Sequence, residues 1–358
     1  MAPRRTVHLI YPHSERISAP DSIGWQLGHR LAASYDVVYH DWDSRDRIDP
    51  QNGDVLLGHA HPRSGTCFRA SMMSPRWGRK ILMSPFNGDL AQVGFIDRII
   101  PHVDAYLAIT GPYWFDLVEH SVFAHWLPKM VRVDMAIDPA DYPPVKAAFN
   151  SPGNRHFVYI GHSGWQKNTG YLSEIAGRMP GVRFDWIGSG DCEIAGFNSR
   201  GSMDFSREEA RRAVAGFDFL ITAGMFDANP TTVLEAMGWG LIPVCTPQSG
   251  YDRNPGIVNI PAGDATGAAA ILEGLNRVDG EHLSEMQRLN RAQLAEHFSW
   301  DRFAMQVVQG IESEATRPIG REPIGHRIAL RWSELTSPYS QLDAGRIGRG
   351  LSRLRGPR

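Results

Sequence analysis

The chain of 358 residues has few cysteines, no long apolar run and almost no net charge. Its three cysteines, Cys67, Cys192 and Cys245, are odd in number and far apart. That pattern argues against a disulfide framework or a zinc site and fits a reducing cytoplasm. No segment approaches the ~20 apolar residues of a membrane span, and the first apolar run is too short for a signal peptide. A formal net charge of −2 gives no overall attraction to nucleic acid.

The glycine fingerprint of dinucleotide-binding proteins is also missing. That fingerprint places G-x-G-x-x-G directly after a strand. Residues 11–18, YPHSERIS, contain no glycine, and residues 161–168, GHSGWQKN, have glycines at a different spacing. A nicotinamide-dependent dehydrogenase is therefore not favoured.

What the chain does contain is an alternation of short apolar runs with amphipathic stretches. Residues 21–35 have the apolar spacing of a helix. In the first half the predicted strands are 7–12, 36–41, 54–60, 80–85 and 105–110. Continuous apolar runs separated by helices predict parallel strands that are covered on both faces.

The pattern breaks at residues 138–155, DPADYPPVKAAFNSPGNR, which read as an interdomain linker because of their prolines and glycine. It then restarts. We therefore predict an α/β protein with two Rossmann-like domains facing a cleft, residues 1–150 and 151–316, and a last pair of helices ending near residue 313. In such sheets ligands lie beyond the carboxyl ends of the strands.

Residues 317–358 form a separate basic tail with nine arginines, no lysine and three acids. One interpretation is a solvated terminus. The other is an electrostatic contact with anionic lipid.

Two strand-end loops in the second half carry candidate binding residues. The loop after the strand at 157–161 contains Gly161 and His162 and delivers Lys167 to the start of a helix. A cation there is unfavourable for the helix alone, but it suits a site that also holds phosphate; a solvated surface lysine is the alternative. Gly188 and Gly190 end the next strand and predict close backbone approach or a tight turn.

The stretch FDANPTTVLEAMGWGLIPVCTP, residues 226–247, is the strongest feature. Asn229 is a good N-cap and the proline after it suits the first helical position. The amides of Thr231, Thr232 and the residue that follows then lack helical partners and predict a diphosphate site. Glu235 lies one turn further on, where it either binds ribose hydroxyls or faces solvent.

Together these residues resemble the retaining glycosyltransferase family 4, whose members have the GT-B fold. The family signature E-x7-E followed by A-M-x-x-G-x-P-V is similar to residues 227–244, with Asp227 at the first glutamate and Glu235 at the second. Residues 159–168 resemble the family's G-R-x-x-x-x-K-G loop, and residues 298–308 resemble the start of its closing crossover helix. In the first half the likeness gives His59 and His61 after a strand, and Asn87 where many members carry histidine.

The resemblance implies transfer of a sugar from a nucleotide sugar to an acceptor hydroxyl, with retention and without a cofactor. Lys167 and the amides of Thr231 and Thr232 would then stabilise the diphosphate, Glu235 would hold the ribose, and Asp227 would contact the sugar. The other donor-binding residues would be Gly161, His162, Gly188 and Gly190. His59, His61 and Asn87 would lie on the acceptor side. The one D-x-D, residues 41–43, lies in the wrong domain and loop, so we expect no metal.

The implied acceptor is a glycan or lipid-linked glycan of a bacterial envelope, in the cytoplasm or at the inner face of the membrane. Asp227, His162 and Asn87 depart from the family pattern. Two alternatives therefore stay open. One is a degenerate member that binds a nucleotide sugar or a partner without turnover. The other is a GT-B nucleotide-sugar epimerase that uses His13, His59 and His61.

Overall fold

The computed structural model describes residues 4–12, 19–190, 192–313 and 317–336. These residues form two compact units. The first contains the described residues up to 108, those of 117–131 and those from 306 onward, and the second contains 109–116 and 132–305. The boundaries between the units therefore differ from the predicted limits at 150 and 316. The last boundary falls inside the helix Trp300–Glu312. His13, part of the epimerase alternative, lies outside the described residues.

The first sheet has six strands. They are β1 (Thr6–Ile10), β2 (Asp36–His40), β3 (Val55–Gly58), β4 (Arg79–Pro85), β5 (Ala105–Ile109) and β6 (Met130–Val133). Their order is β2-β1-β3-β4-β5-β6, and β1 pairs in parallel with β2 and β3, as β3 does with β4. Every residue of β3 and β5 is buried. This explains the uninterrupted apolar runs, because helices cover both faces of such a strand.

Among the described residues, four helices lie between the strands of the first sheet. They are α1 (Ala19–Leu31), α2 (Cys67–Ser71), α3 (Leu90–Val93) and α4 (Pro112–Leu117). Single 3₁₀ turns follow α3 and α4 at Gly94–Arg98, Ile100–His102, Val118–His120 and Ala124–Lys129. The helix α1 begins at Ala19, so Asp21 stands in its first turn. There its charge favours the positive end of the helix.

The second sheet also has six strands, and all its neighbouring strands pair in parallel. They are β7 (His156–Ile160), β8 (Arg183–Ile187), β9 (Asn198–Ser199), β10 (Phe219–Thr222), β11 (Ile242–Cys245) and β12 (Val258–Asn259). The strand order is β12-β11-β10-β7-β8-β9. The chain adds β8 and β9 on one side of β7 and then adds β10, β11 and β12 on the other, so the switch point lies between β7 and β10. Ligands of parallel sheets bind at such a switch point.

The remaining helices follow in chain order. They are α5 (Thr169–Gly177), α6 (Glu208–Ala215), α7 (Thr231–Trp239), α8 (Ala265–Arg277), α9 (Gly280–His297), α10 (Trp300–Glu312) and α11 (Ile324–Thr336). The pair α9 and α10 ends one residue before the predicted limit near 313. Among the described residues, no helix has the length and apolar character needed to cross a membrane.

The segment at residues 138–155 belongs to the second unit and packs against the rest of it. Lys146 and Asp218 form an ion pair of 2.9 Å with both side chains almost fully buried. Asp218 also accepts hydrogen bonds from the backbone and side chain of Asn150, and the amides of Val145 and Lys146 donate to the carbonyl of Trp239. Because a buried charge is costly without a partner, these contacts fix the segment that the sequence presents as a linker.

Candidate active site

Two glycine loops lie in direct contact at the carboxyl ends of β7 and β8. The amide of Gly161 donates to the Ile187 carbonyl at 3.0 Å, and the Trp186 indole donates to the Gly161 carbonyl at 2.8 Å. A Cβ on Gly188 would stand 1.9 Å from the Gly161 carbonyl oxygen, and Gly188 has a φ of 157°. The close packing of the two loops therefore explains why glycine is found at these two positions. Their predicted contact with a donor stays a prediction.

The same two loops meet a second time further out. The Ser163 amide donates to the Ser189 carbonyl at 3.2 Å. A Cβ on Gly190 would lie 1.9 Å from the Ser163 hydroxyl oxygen. The predicted glycines thus line one surface at the end of two adjacent strands.

Lys167 is positioned by a short turn between β7 and α5. Residues Trp165–Lys167 form a 3₁₀ turn, and Asn168 takes a left-handed φ of 52° before α5 begins. The Lys167 ammonium forms an ion pair with a carboxylate oxygen of Asp227, and the two side chains are 22% and 20% exposed. The sequence predicts both as site residues, but it does not predict that they contact each other.

The loop after β10 carries Asp227 to Lys167. The Met225 amide donates to the Gln166 carbonyl at 3.0 Å. The rings of Phe226 and Trp165 meet edge to face with centroids 6.1 Å apart. Lys167 and Asp227 therefore sit on the two loops that flank the switch point between β7 and β10.

The start of α7 differs from the predicted cap. The helix begins at Thr231 with Pro230 as its N-cap, and Asn229 adopts a left-handed φ of 52°. Asn229 is buried, and its side-chain amide donates to the Gly250 carbonyl at 3.3 Å, so it fixes the preceding loop. The prediction that Asn229 caps the helix is therefore wrong.

Two amides of that first turn remain open. The Val233 amide donates to the Pro230 carbonyl at 3.2 Å, so it is not available to a ligand as predicted. Within the part of the chain that the structure describes, the Thr231 and Thr232 amides have no hydrogen-bond partner. Both residues are partly exposed, and no acid stands in the turn. This is the arrangement that favours an anion at a helix N-terminus.

Glu235 is half-buried on α7 and already has protein partners. Burial raises the pKa of its carboxyl above the ordinary value of 4.5, and hydrogen bonds from the Thr231 and Tyr142 side chains oppose that rise. Tyr142 belongs to residues 138–155, and burial, with the charge of Glu235 next, raises the pKa of its hydroxyl. Sequence reasoning missed Tyr142, since nothing in the local pattern links it to a helix some 90 residues later.

His162 is exposed at the edge of the first glycine loop. Its Nδ1 accepts a hydrogen bond from the Gly164 amide at 3.0 Å. The ring is thereby oriented within the loop, with Nε2 as its remaining nitrogen. A role for His162 on a phosphate stays a prediction.

Of the three acceptor-side candidates in the first unit, His59 and Asn87 line one cavity of about 210 Å³. Asn87 donates to Gln92 at 2.7 Å and accepts from the Asp89 amide at 3.1 Å. His59 Nδ1 is buried without a partner among the described residues. Burial, and then the neighbouring His61, lower the pKa of His59 to about 3, so His59 is neutral.

His61 does not line that cavity. The Trp42 ring packs against both histidines, with centroids 4.8 Å from His59 and 5.8 Å from His61. The Nδ1 of His61 accepts from the Arg63 amide at 3.1 Å. The structure thus brings two of the three predicted residues to one cavity.

Comparison with known proteins supports the fold. Sucrose-phosphate synthase from Thermosynechococcus elongatus is 12% identical with a TM-score of 0.64, over 86% of this chain and 98% of that one. The catalytic domain of starch synthase IV from Arabidopsis thaliana, bound to ADP and acarbose, is 11% identical with a TM-score of 0.62, over 87% and 99%. Anabaena HepE, in complex with UDP and glucose, is 11% identical with a TM-score of 0.56, over 87% and 100%.

At such low identity the likeness shows the fold alone. The chain has the α/β GT-B fold of these glycosyltransferases, as predicted. No protein-family model and no curated protein matches the sequence. Membership of glycosyltransferase family 4 therefore stays a prediction.

Proposed function

We propose that this protein transfers a glycosyl group from a nucleoside diphosphate sugar to an acceptor hydroxyl. The observation that carries the proposal is the convergence of Lys167 and Asp227 on the loops at the switch point of the second sheet. The open amides of Thr231 and Thr232 begin the helix that follows the same loop. A cation and free helix amides suit a diphosphate, and a carboxylate suits sugar hydroxyls.

The chemistry follows from where charge develops. The bond between the anomeric carbon and the diphosphate oxygen breaks, and the diphosphate keeps the electron pair. Lys167 and the two amides stabilise that charge, which is electrostatic catalysis. The acceptor oxygen bonds to the anomeric carbon on the face that the diphosphate leaves. The acceptor proton passes to the departing phosphate, so the configuration is retained.

Glu235 is proposed to hold the ribose of the donor. Its carboxylate already accepts from Thr231 and Tyr142, and a carboxylate has room for further donors. The titles of two similar structures name nucleotides, ADP for the starch synthase and UDP for HepE. Those ligands support a nucleotide-linked donor as a class and leave the base open.

The acceptor is proposed to be a glycan or lipid-linked glycan of a bacterial envelope. Its binding region would include the cavity beside His59 and Asn87. A lipid-linked acceptor requires the protein to work at a membrane surface. The arginines of residues 317–358 suit that location because anionic headgroups attract them.

A donor screen tests the proposal. Thermal unfolding is measured with UDP-, GDP-, ADP- and dTDP-sugars, followed by assays of sugar release from each donor that raises Tm. We expect one nucleotide class to raise Tm and to be hydrolysed, and Lys167→Ala to remove both effects. Binding without any sugar release would favour the degenerate alternative. No shift with any donor would overturn the proposal.

A further inference from the structure

The last described helix, α11, is held to the first unit by one of its faces. Leu330 and Ser333 are buried, at 1% and 8% exposure. The Ser333 hydroxyl donates to the Leu90 carbonyl at 2.7 Å, and Arg331 lies 3.6 Å from the Asp97 carboxylate. These contacts place the helix on α3 and the 3₁₀ turn Gly94–Arg98. Its orientation is therefore defined.

The opposite face of α11 presents an unusual apolar surface. Ile324, Ile328, Trp332 and Leu335 are 75%, 64%, 67% and 58% exposed. They recur every three or four positions, so they fall within one stripe of the helix. We call these four side chains the α11 stripe. Single exposed apolar residues are ordinary, but a contiguous set of large ones marks an interaction surface.

Positive charge borders this stripe. Arg327 and Arg331 each follow a stripe residue by three positions, which places them along one edge of it. Both are exposed, although each also contacts a carboxylate, Arg327 with Glu322 at 2.9 Å and Arg331 with Asp97. Beyond residue 336 the sequence continues with five more arginines and a single acid.

An anionic lipid surface matches this combination. An interfacial helix needs large apolar side chains on one face, and basic side chains beside them meet the headgroups. Tryptophan is favoured at that depth because its ring is apolar and its N–H is polar. A second copy of the chain would instead bring the same arginines together, which is electrostatically unfavourable at a two-fold contact.

We propose that α11 docks on an anionic bilayer through the stripe of Ile324, Ile328, Trp332 and Leu335, with the arginines of residues 337–358 as a second anchor. Two weak signals are needed because one short apolar face gives only reversible attachment. The inference rests on the peripheral contact within the proposed function. Vesicle binding measured without donor separates its failure from a failure of sugar transfer.

Flotation with phosphatidylcholine vesicles, with and without phosphatidylglycerol, tests the docking surface. We expect the full chain to bind only the vesicles that contain phosphatidylglycerol. Ile328→Glu combined with Trp332→Glu should reduce binding at least ~10-fold, since it places two charges in the interface. The matched control is Met73→Glu, an exposed apolar residue (61%) of the first unit outside the stripe. It should bind as wild type does.

Two further measurements separate the other occupants of the stripe. With brominated phosphatidylglycerol, the tryptophan fluorescence of the wild type should be quenched more than that of Trp332→Phe. That difference would place the Trp332 ring in the lipid. Unchanged vesicle binding by the double variant would overturn the proposal. So would a dimer in sedimentation that the same variant converts to monomer, since a second copy would then cover the stripe. Deletion of 337–358 should weaken binding; stronger binding would overturn the role of these residues as a second anchor.

Discussion

Lys167 and Asp227 form an ion pair between the loops that follow β7 and β10. The sequence predicts that Lys167 binds the diphosphate and that Asp227 contacts the sugar. In the structure each is the other's partner. A diphosphate that enters the site therefore competes with Asp227 for the ammonium of Lys167, and the carboxylate repels the incoming charge.

Asp227→Asn is therefore expected to separate binding from turnover. Loss of the carboxylate removes the competitor and the repulsion, so the affinity for the nucleoside diphosphate product should rise a few-fold. Transfer from the intact donor should fall, because the sugar loses a charged contact. Lys167→Met should weaken diphosphate binding about 10- to 100-fold, as expected for a charge-assisted bond of about 1.5–3 kcal/mol. Isothermal titration gives the affinities and a sugar-release assay gives the rates.

The control for these variants is Lys80→Met, a partly buried lysine of the first unit. It should leave both quantities unchanged. Weaker diphosphate binding in Asp227→Asn would show that Asp227 supports the phosphate site rather than competing with it.

The first turn of α7 should respond in opposite directions to one substitution. Thr232→Asp places a negative charge at the positive end of the helix, which should stabilise the fold by about 0.3–1 kcal/mol. The same charge occupies the proposed diphosphate site and should abolish donor binding. Thr266→Asp is the control for donor affinity, because it stands in the first turn of α8, whose N-cap is already the carboxylate of Asp264. It should leave donor affinity unchanged, and equal donor affinity in Thr232→Asp would exclude phosphate from α7.

Glu235 should make stability depend on pH. Its carboxyl pKa is raised above 4.5 in the folded protein, mainly by burial. The unfolded chain releases this proton first as pH rises, so the contribution to stability falls from about pH 4.5 until the folded pKa is passed. Glu235→Gln should therefore gain stability over wild type across that interval, while its donor KM rises. Chemical denaturation at several pH values measures the difference.

Tyr142→Phe is a second test of what sets the pKa of Glu235. Its hydroxyl helps to lower the Glu235 pKa, so the variant should extend the falling limb of the stability profile to higher pH. A profile that is identical in wild type, Glu235→Gln and Tyr142→Phe would contradict the proposed coupling.

The contact between the glycine loops predicts a large cost for one added methyl group. In Gly188→Ala the Cβ would meet the Gly161 carbonyl oxygen at 1.9 Å, and the left-handed backbone disfavours alanine. We expect a loss of about 1–3 kcal/mol in the free energy of unfolding together with weaker donor binding. Gly170→Ala is the control: it lies in α5 with nothing within 4 Å of the new Cβ. It should be neutral or stabilising, and a Tm of Gly188→Ala equal to wild type would refute the packing role.

Local pattern was enough to predict most of the framework. The strands β2 and β5 match their predicted runs to within a residue, and α7 ends at Trp239, directly before Gly240 with its left-handed φ of 90°. These features depend on apolar continuity and on the conformational freedom of glycine, both of which can be read along the chain. The GT-B fold was what the resemblance to glycosyltransferase family 4 implied, and the comparison with solved structures confirms that fold.

The partners of the charged side chains could not be predicted in this way. Lys167 meets Asp227 60 positions away, and Tyr142 meets Glu235 because the segment at 138–155 packs against the rest of the second unit. Asn229 is a residue type that often caps helices, but its side-chain amide donates a hydrogen bond to the Gly250 carbonyl instead. Each pairing is set by which loops the sheet order brings together.

The sequence by itself determined that the chain forms two parallel α/β sheets, that Gly161, Lys167 and Asp227 follow strands, and that Glu235 lies one turn inside a helix. Only the tertiary structure decided that Lys167 is held by Asp227, that Tyr142 supports Glu235 and that α11 leaves four large apolar side chains exposed. The physical reason is the distance along the chain between the residues that interact. Secondary structure depends on neighbours a few positions apart, whereas ion pairs, burial and pKa depend on segments that meet only after the chain folds.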